Sequence, residues 1–260
     1  MAKAGWTKFP YADKAYAYNA ANLKKQWDRL HRGDREPFPL DEPAQEAWRL
    51  YHQGDFEKAV AVGQKGGLSA INAANKATII YASYLEKDEP RKLALFEDAA
   101  VRCEEAIKAD PKNVNGHYLL AFALGRYGQG ISITKALAQG LGGKVKNALA
   151  KVMELDAKHA DAHIALGAYH AEVIDKVGST IAGLTYGAKK ESAVEHFEKA
   201  LKLNPDSAIA RIEYANGLVM LFGKSKMANA EELYKEAAAC KAMDATERLD
   251  VELAKENLDD

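Results

Sequence analysis

Two successive copies of one unit, spanning 112–205, limit what this 260-residue chain can fold into. Each copy opens with a stretch of helical period, His117–Leu124 in the first and His163–His170 in the second. Each then passes through a Gly-rich apolar extension and closes with a second amphipathic stretch, Ala148–Asp156 and His196–Pro205. A helical pair of this kind has apolar residues on both sides, so it reaches a stable state only when stacked on neighbouring pairs.

The flanking chain supplies such neighbours. Ala44, Ala47, Trp48 and Tyr51 form one stripe; Gly54 and Asp55 make a turn; Phe56, Ala59, Val60 and Gly63 return, and Gly66-Gly67 stops the return helix. The next pair covers 69–86 and 90–109, with Pro90 suited to a first helical turn and Pro111 to a position just past an end. A last pair covers 206–242, followed by a polar helix over roughly 245–258. Upstream, Tyr11, Ala15, Tyr18, Leu23, Trp27 and Leu30 predict one helix over 11–31, and Pro37, Pro39 and Pro43 predict an extended linker. No useful length alternates with period two, which predicts essentially no sheet. The expected organisation is therefore 1–40 as N-terminal helix and Pro-rich linker, 41–242 as a helical repeat domain, and 243–260 as a C-terminal capping helix.

The pairs match the tetratricopeptide pattern of about 34 residues per helix–turn–helix. Trp48, Gly54 and Ala59 carry it in the first. Leu166-Gly167, Ala193, Phe197, Ala200 and Pro205 carry it in the fourth, and Tyr214, Ala215, Ala230, Tyr234 and Ala237 in the fifth. Small residues (Ala121, Gly167, Ala215) let paired helices approach, and large ones (Phe197, Tyr234) fill the gap to the next pair. The fold class is thus all-α, a TPR-like α-solenoid of about five helical hairpins with elongated central hairpins. The elongation is visible in the spacing: Pro111, Ala157 and Pro205 are 46 and 48 positions apart. The extra residues are themselves related, Gly130–Leu137 against Gly178–Thr185, and they fall on one edge of the solenoid.

In hairpin lengths and small-residue patterning over roughly 40–242, the chain resembles the tetratricopeptide T-component subunits of TRAP-type solute transporters. That resemblance implies an apolar cavity through the protomer, assembly as a homo-oligomer, a periplasmic location and a solute-binding-protein partner. The central region is also similar to the helical-repeat domain of regulator of microtubule dynamics proteins.

By the register of the repeat, the first helix of each hairpin lines the concave face. The groove positions are then Asn115, Tyr118 and Phe122, Asp161, Ile164 and Ala168, and Ile209, Ile212 and Asn216, and all of these but Asp161 are the expected ligand-binding residues. The set leans apolar. A clamp for a peptide carboxylate is not expected, because Ile212 stands where such a clamp has its lysine. A protein or peptide partner with an apolar segment fits, as does a hydrophobic small molecule held by the same residues with 131–137 and 178–186. The plainer alternative makes Tyr118, Phe122 and Ile164 core residues covered by the insertions.

Other chemistry is not expected. His159 and His163 are one helical turn apart and His170 lies beyond them, with Asp161, Glu172 and Asp175 nearby. His159 reads as a turn residue, and His163 repeats the packing position of His117, so no metal is expected. No phosphate loop or nucleophile elbow is present, and Gly125–Gly130 has no strand before it; no cofactor and no enzymatic activity are expected. A formal net charge of −1 gives no reason to expect nucleic acid as a partner. No segment is apolar over the ~18 residues that membrane insertion needs. Cys103 and Cys240 sit in amphipathic stretches, as reduced core thiols would. The expected location is the cytoplasm, or the periplasm if a leader has been removed.

Overall fold

The computed structural model describes residues 5–259, so the outermost ends of the first and last expected segments, 1–4 and 260, lie outside it. Among the described residues every regular element is helical. The chain first makes a short 3-10 turn over Lys14–Tyr16 and then α1 (Ala20–Leu30). The single helix expected over 11–31 is broken because two side chains stop it. The Asp13 carboxylate accepts from Ala15 N and the Asn19 amide oxygen from Asn22 N, each fixing a fresh start.

Five hairpins follow: α2 (Glu42–His52) with α3 (Phe56–Lys65), and α4 (Ile71–Tyr84) with α5 (Glu89–Ala109). The third pairs α6 (Val114–Gln129), through α7 (Ile133–Ala138), with α8 (Leu141–Leu155). The fourth pairs α9 (Ala160–Val177) with α11 (Lys190–Leu203), through α10 (Ser179–Ile181) and a π-turn over Ala182–Tyr186. The last is α12 (Ala208–Phe222) with α13 (Met227–Ala238), and α14 (Ala245–Asp259) ends the chain. Asp41, Asp88, Asn113, His159 and Ser207 each cap a helix through a side-chain acceptor. At the first hairpin turn Gly54 takes φ 88°, a backbone that any Cβ would strain.

Packing follows the small-residue pattern. Phe197 of α11 is fully buried between two glycines: a Cβ on Gly167 would sit 2.7 Å from its ring and one on Gly217 2.5 Å. Tyr214 stacks on the same ring at 5.2 Å. Three consecutive helices, α9, α11 and α12, are locked around one aromatic.

The inner helices do more than line a groove. α2, α4, α6, α9 and α12 touch in succession, α14 packs on α12, and α14 also touches α2. The inner layer is therefore a closed ring of six helices. Its seam is polar and long-range. The Tyr18 hydroxyl donates to Met243 O at 2.6 Å, Thr246 Oγ1 donates to the Tyr51 hydroxyl at 2.8 Å, and Arg29 pairs with Glu247 at 2.5 Å. The N-terminal segment shares the same core: Phe9, Tyr16, Tyr18, Leu23 and Trp27 are buried with Trp48, Tyr51 and Leu249.

Candidate functional site

The ring encloses a cavity of about 290 Å³. Along α9 its lining runs from Asp161 to Val177, about 24 Å of helix at 1.5 Å per residue. The two ends differ. One is closed by residues 31–36, which cross from α1 over the starts of the inner helices. Arg32 pairs with Asp206 and Arg35 with Asp156, both at 2.5 Å, and Gly33 O accepts from Asp161 N at 3.1 Å. This strap bends at Arg35, whose backbone is left-handed at φ 52°. The other end is formed by the two insertions. Ile133 and Leu137 line the cavity yet remain 46% and 52% exposed, so the cavity opens between them. Leu184, on the matching insertion, is 87% exposed.

Tyr118, Phe122, Ile164, Ala168 and Ile209 line this cavity as the register predicted. Three of the predicted positions do not. Asn115 lies under the strap. Its amide donates to Asp34 O at 3.0 Å and Glu36 Oε2 at 2.6 Å, while its oxygen faces His159 Nε2 at 2.9 Å. Ile212 is 1% exposed in the core between α12, α13 and α14, because α14 covers the face that an open solenoid would leave free. Asn216 accepts from the Tyr234 hydroxyl across the α12–α13 seam. The two corrections on α12 differ in origin: Ile212 is covered by a helix laid over a concave face the register treats as empty, and Asn216 is taken up by its own hairpin partner.

The closed end is a polar floor that the repeat pattern did not reveal. Lys76 of α4 donates to Asp34 Oδ2 at 2.5 Å and lies over the Tyr51 ring. Asp34 Oδ1 contacts His31 Nδ1 at 2.8 Å, His31 Nε2 contacts His52 Nε2 at 3.2 Å, and His52 Nδ1 contacts Asp244 Oδ2 at 2.7 Å. Burial lowers His31 to about 4 with Asp34 opposing, and Lys76 is the cation bonded to Asp34. Contact with His31 and Lys76 holds Asp34 well below the usual carboxylate range against the cost of its burial. A lysine in the otherwise apolar, small-residue stripe of α4 was the one sequence signal for this floor.

Higher in the cavity, Arg126 pairs with Glu213 at 2.7 Å, and Gln129 donates to Glu172 at 2.5 Å. The Tyr84 hydroxyl donates to Asp250. Burial pushes Asp250 up to about 8, and burial with the charge of Asp244 pushes Glu247 up to about 7.

The histidines of α9 and α11 hydrogen-bond or stack within the fold. His159 caps α9 through Nδ1 and is lowered to about 4 by burial. His163 Nδ1 meets His196 Nδ1 at 2.8 Å, and the His170 ring stacks on His196 at 5.8 Å. Among the described residues no group of three metal-ligating side chains is placed to hold an ion. Cys103 is buried beside Asn75 and Cys240 half-buried; both are free thiols. No helix among the described residues is long and apolar enough to cross a membrane.

The family model for regulator of microtubule dynamics protein 1-3 matches residues 45–259, most of the chain. The chain belongs to this family. Its matched region takes in all but the first few residues of the ring, from α2 through α14, and leaves the strap outside. No curated protein matches the chain. Among solved structures, a thermophilic TPR protein of Thermus thermophilus superposes with a TM-score of 0.57 at 16% identity, covering 82% of this chain and 97% of its own. At that identity the likeness shows the fold alone, a TPR-like α-solenoid. The resemblance to regulator of microtubule dynamics proteins is thus supported, and the one to transporter T-components is not.

Proposed function

We propose that this chain is a non-enzymatic interaction module that receives a slender apolar segment of a partner protein through the mouth between its insertions. The observation that carries this reading is the pairing of a TPR-like inner wall, Tyr118, Phe122, Ile164 and Ile209, with an opening rimmed by exposed Ile133 and Leu137. Apolar side chains left in water at the rim of a cavity mark a surface that gains free energy when covered, about 25 cal/mol per Å². The strap and α14 cover the rest of the concave face, which leaves insertion from one end as the route. The family name, which refers to microtubule dynamics, agrees with a protein partner.

A photoreactive residue in place of Phe122, activated in the host, tests this. Protein conjugates of discrete mass are expected from that position and not from Val101 on the outer helix α5. A conjugate pattern identical at the two positions would sink the reading. The second reading, prompted by the closed ring around a compact cavity, is a carrier for a hydrophobic small molecule. Native mass spectrometry before and after mild organic extraction separates the two, since only the carrier co-purifies with a small adduct.

A further inference from the structure

We propose that the closed end of the cavity is a cation site, with the Asp161 carboxylate as counter-ion for an ammonium or guanidinium group carried on an apolar stem. This rests on the cavity being the docking site. Every other carboxylate that lines it has a partner: Asp34, Asp244, Glu247, Glu213, Glu172 and Asp250 are each bonded to a cation or a hydrogen-bond donor. Asp161 lines the cavity, and no hydrogen bond contributes to the state of its carboxyl. Lys76 faces Asp34 and Asp161 together and is bonded to Asp34, so negative charge is left over at this end, and Asp161 is the carboxylate there without a hydrogen-bonding partner.

Two further features point the same way. The strap is shaped around the carboxylate: Gly33 lies against it, and a Cβ there would collide with Asp161 Oδ1. The route from the mouth to this point passes Leu137, Phe122 and Ile164, which suit a stem and not a free hydrated ion. An acid in the first turn of α9 also favours the helix dipole, but that role is met equally by a side chain turned to solvent. Burial raises the Asp161 carboxyl to about 6 with Lys76 opposing, so it is ionised at neutral pH and available to a cation. The charged or titratable groups facing it are Lys76 of α4, Asp34 of the strap, Tyr118 of α6 and Asp250 of α14.

The test is calorimetric titration of the full chain with n-octylammonium, octanoate and 1-octanol. Octylammonium is expected to bind at least about tenfold more tightly than octanoate. That preference should vanish in Asp161→Asn with melting behaviour close to wild type, and should fade as pH falls through about 6. Equal binding of all three probes overturns the cation site while leaving the cavity a ligand site; no binding of any probe overturns both. An acetylated, amidated peptide of leucines with one lysine, against its norleucine counterpart, distinguishes the sources of the cation. A lysine-dependent competition with octylammonium assigns it to a partner's side chain, and octylammonium binding without such competition assigns it to a free amine.

Discussion

At the scale of single residues, the small side chains explain most. Gly167 was legible as a close-packing position from its place in the repeat, and the structure gives the reason, a Phe197 ring with no room between Gly167 and Gly217. Gly167→Leu is expected to destabilise by about 1–3 kcal/mol, read as a lower urea midpoint with unchanged slope. The buried acids set a pH dependence. A carboxyl raised on folding keeps its proton where the unfolded chain has lost it. Its contribution is full below the ordinary carboxylate pKa near 4 and is lost as pH rises through the folded value, about 8 for Asp250. His159 and His196, lowered to about 4 by burial, act in the opposite direction: their contribution is full above about 6.5 and is lost as pH falls through 4. Asp250→Asn keeps an acceptor for the Tyr84 hydroxyl and removes the titration. It should raise the melting temperature more at pH 8.5 than at pH 5, flattening the stability profile by on the order of a few kcal/mol. Parallel profiles for the two proteins would show that Asp250 titrates normally. Single residues were also where sequence reading failed. Asn115, Ile212 and Asn216 hold the right register but are covered or bonded by parts of the chain more than fifteen residues away.

Among elements, the hairpins were readable because their signals are local: a glycine with φ 88° at Gly54, a proline in the first turn of α5, a capping serine before α12. The strap was not, and α14 was readable as a C-terminal helix but not as a member of the ring, because what places the two is not periodic. Residues 31–36 carry no helical pattern and are held by Asn115, Asp156 and Asp206, which lie 81, 121 and 174 positions from their partners in the strap. α14 reads as an ordinary polar helix, and long-range pairs with Arg29, Tyr51 and Tyr84 put it in the ring. Asp244 joins the two. Its Oδ1 accepts from Glu247 N at 2.8 Å to cap α14, and its Oδ2 holds His52. Asp244→Ala removes a cap, about 1 kcal/mol, and leaves a buried imidazole unbonded, about 1–3 kcal/mol more. Hydrogen exchange should show α14 losing protection before the hairpins do. Uniform loss across all helices would mean that α14 is not a separable unit.

For the whole molecule, the decisive feature is the contact between α14 and α2. Linear repeat arrays are nearly one-dimensional: each unit meets only its neighbours, and the ends loosen first. A ring has no ends. Opening any one hairpin here breaks two interfaces, so the protein should unfold in a single transition with coincident midpoints by circular dichroism and tryptophan fluorescence, and a chain cut before α14 should lose that coincidence. Closure also carries a timing consequence. The contacts that seal the ring join residues up to 225 positions apart, as between Tyr18 and Met243. On the ribosome the hairpins emerge and stack in order, but the cavity has no wall on one side until the last helix has left the exit tunnel. Until α14 is in place the growing chain is an open trough with its apolar lining in water, and binding competence arrives all at once, when that helix closes the ring.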